Sequence, residues 1–192
     1  VSVDQISLEG RGVGIYSESK SKSTANAGGN GGGISIEAGV VSMSDGAVVS
    51  SSTEGLGKSG QVIIKVDKLE TEGSDEKTGR TVIESNANFG SSKMDEGEGG
   101  GAGSIFIEAE EVKVGGYSSI SSSTYGTGEA GALRIKADDV EVKGKGAMLL
   151  GQSGYSHGSN QWKKSKAATG DGGSVEIEAN RLEISEGAEV SV

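Results

Sequence analysis

This chain has no cysteine, no proline and only one histidine in 192 residues, with two phenylalanines, four tyrosines and one tryptophan. Without cysteine there are no disulfides. The lack of proline suits strands that donate ladder hydrogen bonds on both sides, because proline has no N–H to give. The scarcity of aromatics suits a narrow core filled by Ile, Val, Leu and Ala. No apolar run is long enough to cross a membrane as a helix. Basic residues are also short, 18 Lys and Arg against 28 Asp and Glu, and the net charge is −10. That balance opposes binding to nucleic acid or to anionic membranes.

What is present is a repeat. Three short apolar segments recur in order, six times. The first is anchored by Val1, Ile36, Ile64, Ile107, Ile135 and Ile177. The second starts five residues later, at Ile6, Val41, Leu69, Val112, Val140 and Leu182. Its partners two positions on are Leu8, Met43, Thr71, Val114, Val142 and Ile184. The third brings Ile15, Val49, Ile83, Ile120, Leu149 and Val190. Spacings of two predict strands with one face inward. No segment sustains the spacing of three and four that an amphipathic helix needs. One copy alone has a narrow apolar face, and stacking the copies buries those faces in a column. The pattern therefore predicts an all-β fold, a parallel β-helix (β-solenoid) of about six three-stranded coils over residues 1–192, read as a single segment.

The anchors Ile36 and Ile64 stand 28 residues apart, as do Ile107 and Ile135, and the longer intervals carry their extra residues after the third segment. Long turns are thus expected at 18–31, 86–101 and 152–172, on every second coil. At the spacing of adjacent strands, six partial coils give a rod roughly 29 Å long. Neither end shows a polar cap, so the reading is a fragment of a longer rod or a unit that stacks end to end.

The position after the first anchor reads Ser2, Glu37, Lys65, Glu108, Lys136 and Glu178. In a parallel, in-register stack the last five form a ladder of alternating sign, each exposed pair contributing some tenths of a kcal/mol. Glycine is 35 of the 192 residues and clusters at turns such as Gly31-Gly32-Gly33, Gly99-Gly100-Gly101 and Gly172-Gly173. The expected reason is a backbone φ above zero, which glycine adopts without a Cβ penalty.

Gly-Gly-Gly-Ile-Ser-Ile-Glu-Ala at 31–38, Asp-Gly-Ala-Val-Val-Ser-Ser-Ser-Thr at 45–53 and Gly-Glu-Ala-Gly-Ala-Leu-Arg-Ile-Lys-Ala at 128–137 carry a resemblance. They resemble the repeats of filamentous-haemagglutinin-like large bacterial exoproteins, and the likeness spans essentially the whole chain. The resemblance implies a right-handed helix, two-partner secretion, a bacterial cell-surface or secreted location, and an adhesive or filamentous role. Scarcity of cysteine suits such export.

Candidate chemistry is sparse. Gly55-Leu-Gly57-Lys58-Ser59 is similar to the end of a phosphate loop, but Ser52 stands where the first glycine belongs and a strand follows where a helix is needed. Gly170-Asp171-Gly-Gly and the acids Asp95, Glu96 and Glu98 make calcium a candidate ligand, against the plainer reading of solvated turns. Otherwise no cofactor, no metal site and no catalytic residue is expected. The turn holding Tyr155, His157, Asn160, Trp162, Lys163 and Lys164 is the candidate ligand-binding loop, with host or matrix glycans as partners. Its plainer reading is a tryptophan folded back onto the side of the coil. Ser50 to Thr53 and Ser121 to Thr124 repeat as Ser-Ser-Ser-Thr and read as a tight, hydroxyl-lined corner. One histidine in a turn leaves no Ser/His/Asp arrangement.

Three functions compete. A structural or adhesive rod without catalysis fits the regularity. A polysaccharide-binding or polysaccharide-degrading β-helix would use an outward cluster such as Lys65, Glu108, Arg134 and Lys136, but these stand in a repeating ladder. An ice- or mineral-binding face would need a column of threonine or aspartate, and no outward column is mostly either. The expected partners are neighbouring coils of the same protein or copies stacked end to end.

Overall fold

The computed structural model describes residues 1–20, 29–54, 57–77, 79–88, 100–153 and 170–192. These residues form strands and no helix. The chain opens with β1 (Ser2–Glu9), β2 (Gly14–Tyr16) and β3 (Ser19–Lys20). The next repeat gives β4 (Ile34–Ser44), β5 (Val48–Ser50) and β6 (Thr53–Glu54). It is followed by β7 (Val62–Gly73), β8 (Thr81–Glu84) and β9 (Ala87–Asn88). Then come β10 (Ile105–Glu108), β11 (Glu111–Gly116) and β12 (Ser118–Ser121). The chain continues through β13 (Ala132–Lys143) and β14 (Met148–Leu150) to β15 (Ser174–Ser185) and β16 (Glu189–Ser191).

Every described strand pairing is parallel and in register between equivalent segments of successive repeats. The larger sheet, A, stacks β1, β4, β7, β10 with β11, β13 and β15. Sheet B stacks β2, β5, β8, β12, β14 and β16, and the short sheet C joins β3, β6 and β9. The arrangement is all-β and consistent with a β-solenoid.

The first and second expected segments do not form separate strands in most repeats. They run together, as in the eleven residues of β4 and the twelve of β7. The interval of five between anchors explains how. Strict alternation would put Ile64 and Leu69 on opposite faces, yet both are fully buried. The parity is reset at Asp67 and Lys68, neither of which is buried. The register accordingly steps from Ala38↔Val66 to Val40↔Lys68, and from Ala137↔Ala179 to Asp139↔Arg181. Only between β10 and β11 does this bend interrupt the strand.

The inward columns form one apolar core. Ile36, Ile64, Ile107 and Ile135 stand one above another, and none is more than 2 % exposed. Val49, Ile83, Ile120 and Leu149 face them from sheet B, all at 0 %. Burying each such side chain contributes about 1.5–3 kcal/mol. At the outer layer the same columns meet solvent. Leu182 and Ile184 are 47 % and 46 % exposed, where Val140 and Val142 beside them are at 0 %.

The glycine-rich turns correct the expectation about φ. Positive φ occurs at Gly10, Gly12, Gly46, Gly116, Gly144, Gly146 and Gly187, in the links between sheets A and B, and not at Gly31 to Gly33 or at Gly172 and Gly173. There the constraint is close backbone approach. A Cβ on Gly60 would lie 2.2 Å from the Gly32 carbonyl oxygen. On Gly103, Gly131 and Gly173 it would lie 2.1 Å from the carbonyl oxygens of Gly60, Gly103 and Gly131. These glycines form a column in which each layer rests on the backbone of the one before. Ser51, Ser85 and Ser122 bind its carbonyls, their hydroxyls donating to Gly32, Gly60 and Gly103. Small residues and hydroxyls thus close the seam between sheet A and the third corner.

Candidate functional site

The outward side of sheet A carries both charge and an aromatic ring, and it is the more open of the two main sheets' outer faces. Alternation that points Ile36, Ile64, Ile107 and Ile135 inward points their neighbours out. One column is Glu37, Lys65, Glu108, Lys136 and Glu178, placed in register by the strands that carry them. Within it Lys65 Nζ lies 3.5 Å from Glu108 Oε2, both side chains about 60 % exposed. The parallel column is Ser35, Ile63, Phe106, Arg134 and Glu176. The Arg134 guanidinium sits over the Phe106 ring, 5.6 Å from its centroid, and its Nε lies 3.0 Å from Glu176 Oε2. Between the columns runs an open groove of about 500 Å³ with Ile63 and Phe106 in its lining.

Past the bend the charge continues. Lys68 Nζ contacts Glu70 at 2.7 Å and Glu111 at 3.2 Å, and Lys113 holds the other side of Glu111 at 2.6 Å. The Glu70 hydrogen bond raises the Lys68 pKa, and the Lys113 hydrogen bond lowers that of Glu111. Arg181 spans Asp139 and Glu183 in the same way, at 2.9 and 3.1 Å. These contacts are solvated and each is worth little alone.

A second polar system lies on the outward side of sheet B at the corner. It is buried where sheet A is open: Ser50, Ser52, Asn86, Ser121 and Ser123 are all at most 5 % exposed. Hydrogen bonds link it from layer to layer. Ser50 Oγ donates to Glu18 at 2.7 Å and reaches Glu84 at 3.1 Å. Asn86 Nδ2 donates to Glu84 Oε2 at 2.8 Å, and Asn86 Oδ1 accepts from Ser121 Oγ at 3.0 Å. The Ser121 and Ser123 hydroxyls share a bond of 2.9 Å, and the Gln152 backbone N–H donates to Ser123 Oγ. Gln152 Nε2 then donates to Ser191 Oγ at 2.7 Å. Desolvation pushes the Glu84 carboxyl up, the Glu18 charge adds to that, and the Ser50, Ser52 and Asn86 hydrogen bonds oppose it. The Ser-Ser-Ser-Thr runs supply this ladder, so their hydroxyls hold the corner together.

Several sequence candidates are placed by this geometry. Lys65, Glu108, Arg134 and Lys136 do share one face. Ser59, at the end of the phosphate-loop-like run, is buried and donates to the Asn86 carbonyl at 2.6 Å. Asp171 accepts from the Ala130 N–H through its backbone carbonyl. No group of three or more His, Asp or Glu gathers as a metal site among the described residues. Tyr155, His157, Asn160, Trp162, Lys163 and Lys164 lie outside the described residues, as do Asp95, Glu96 and Glu98. Phe106 and Glu84 escaped the sequence reading. The signal for Phe106 was its outward parity between Ile105 and Ile107, and for Glu84 its place in a column of serines. Comparison with protein-family models, curated proteins and solved structures gives no match.

Proposed function

We propose that this chain is a structural and adhesive segment of an extracellular rod, part of a secreted bacterial surface exoprotein of the filamentous-haemagglutinin-like kind, with no catalysis of its own. The rod is a right-handed parallel β-helix of about six three-stranded coils, and residues 1–192 are one unit of it. The hand and the export route follow from the resemblance of the repeats. The observation that carries the reading is the uninterrupted in-register stacking of the same columns from β1 to β15, which makes an elongated object held by contacts between neighbouring layers.

Two further features support it. The candidate clusters are repetitive and self-paired, as a scaffold requires. Leu182, Ile184 and Val190 at one outer layer, and Val3 at the other, are exposed members of the strand system. Such edges present unpaired backbone groups along a parallel ladder, the geometry by which strands add to a stack. Electron micrographs of the isolated segment should show particles roughly 29 Å long or rods of greater length, and aligned rods should diffract at about 4.8 Å along the axis. Compact particles without that axial reflection would overturn the rod.

A further inference from the structure

We propose that the groove over Phe106 on the outward face of sheet A binds a neutral polysaccharide chain lying along the stack. The proposal goes beyond the rod, which needs no ligand. Four observations carry it. First, an aromatic ring stands on a solvent-facing column, half-buried, in a chain with only two phenylalanines. The core does not use this ring, since Ile105 and Ile107 on either side supply the inward contacts. Phe106 and Ile63 together give an apolar strip across two layers. The C–H face of a pyranose ring fits such a strip, whereas its hydroxyls need polar neighbours.

Second, those neighbours are present and within reach of the ring. Arg134 is clamped between the Phe106 ring and Glu176, and Lys65 is paired with Glu108. A guanidinium–carboxylate pair keeps unused donors and acceptors, and hydroxyls both give and take.

Third, the local charge selects the ligand. The groove holds the cations Lys65, Arg134 and Lys136 and the acids Glu108, Glu176 and Glu178. The two sets cancel, in a molecule whose net charge is −10. A polyanion would meet three carboxylates and a polycation three basic groups. A neutral chain meets neither penalty.

Fourth, the groove extends over several layers and measures about 500 Å³. Strands stack at about 4.8 Å per layer, so an extended polymer running along the axis meets a side chain of each column at regular steps. A single small sugar would use only part of this surface.

The test is calorimetric titration of the folded chain with cellohexaose, xylohexaose and chitohexaose, and with polygalacturonate as the acidic comparison. At least one neutral hexasaccharide should bind, with affinity nearly unchanged between low and about 0.5 M salt. Phe106→Ala should weaken that binding about ten-fold or more, and Phe106→Tyr, which keeps the ring, should retain it. Thermal melts of both variants check that the fold persists, as expected for an outward side chain. Three outcomes overturn the proposal: no neutral oligosaccharide binds, only polygalacturonate binds and does so in a salt-sensitive way, or Phe106→Ala binds like the parent chain. The rod reading survives any of these, because micrographs decide it separately.

Discussion

Sheet A and the seam that closes the third corner solve the same stacking problem with opposite materials. In sheet A the inner columns are branched apolar side chains, and the outer columns are charged and solvated. At the seam the inner contact is glycine backbone capped by serine hydroxyls, and the outer column is a buried polar ladder. The difference follows from space. Side chains fill the wide gap between sheets A and B, where dispersion and desolvation stabilise the stack. The chain turns back on itself at the seam with no room for a Cβ, and backbone polar groups must be satisfied there by hydroxyls.

The comparison breaks most completely in the apolar wall. Ile107 is 2 % exposed and is sandwiched between Ile64 and Ile135. Ile107→Asp places a carboxylate in a dry column without a partner, a cost of several kcal/mol. The variant should show no cooperative melt by circular dichroism. A normal melt would mean that the inward assignment is wrong. The seam should respond less strongly. Gly131→Ala drives a methyl toward the Gly103 carbonyl oxygen and the Ser122 hydroxyl. Overpacking of this kind costs about 1–3 kcal/mol, and a urea midpoint equal to that of the parent chain would dissolve the contrast between wall and seam.

The wall was legible in the sequence and the seam was not. Anchors such as Ile64 and Leu69 identify themselves because an apolar residue repeated at fixed spacing has one simple cause, a shared buried face. The ladder from Glu37 to Glu178 was equally legible once the register was known, since alternation fixes the outward positions. The odd step of five even carries the bend at Asp67 and Lys68, although spacing alone does not separate a bend within one strand from a gap between two. Glycine is ambiguous in a way isoleucine is not. It serves positive φ at Gly46 and Gly144 and close approach at Gly60 and Gly131, and composition does not separate the two. Likewise, Ser50 is buried at an outward position of sheet B, and periodicity along a strand does not encode that. Phe106 hid among apolar neighbours because Ile105-Phe106-Ile107 reads as uniformly buried until parity is applied.

The polar ladder gives a pH-dependent version of the same contrast. Burial is the first cause of the raised Glu84 pKa, and the Glu18 carboxylate the next that raises it. With a folded pKa above the unfolded one, near 4.3, the native state holds the proton more readily. This contribution to stability is therefore complete below the unfolded value and is lost as pH rises through the folded one. Glu18→Gln keeps an acceptor for the Ser50 hydroxyl and removes the charge. It should lower the Glu84 titration midpoint, seen by NMR of the side-chain carboxyl, and flatten the fall in Tm from acid to neutral pH. An unmoved midpoint would show that the two carboxylates do not sense each other across Ser50.

The smallest effect belongs to the outward face of the wall, and it tests whether charge there matters at all. Lys65 stands in register between Glu37 and Glu108, and both of its neighbours in the column are acidic. Lys65→Glu turns two attractions into repulsions and leaves three like charges in consecutive layers. The Lys65–Glu108 contact is well exposed on both sides, so solvent screens it and the loss should stay below about 1 kcal/mol. Screening also supplies the control. At about 1 M salt the Debye length falls to about 3 Å, and the difference between variant and parent in urea unfolding should nearly vanish. A loss of the same size at low and high salt would assign it to side-chain packing or strand propensity. Sheet A would then be held by its apolar columns alone, with the charges serving solubility and register.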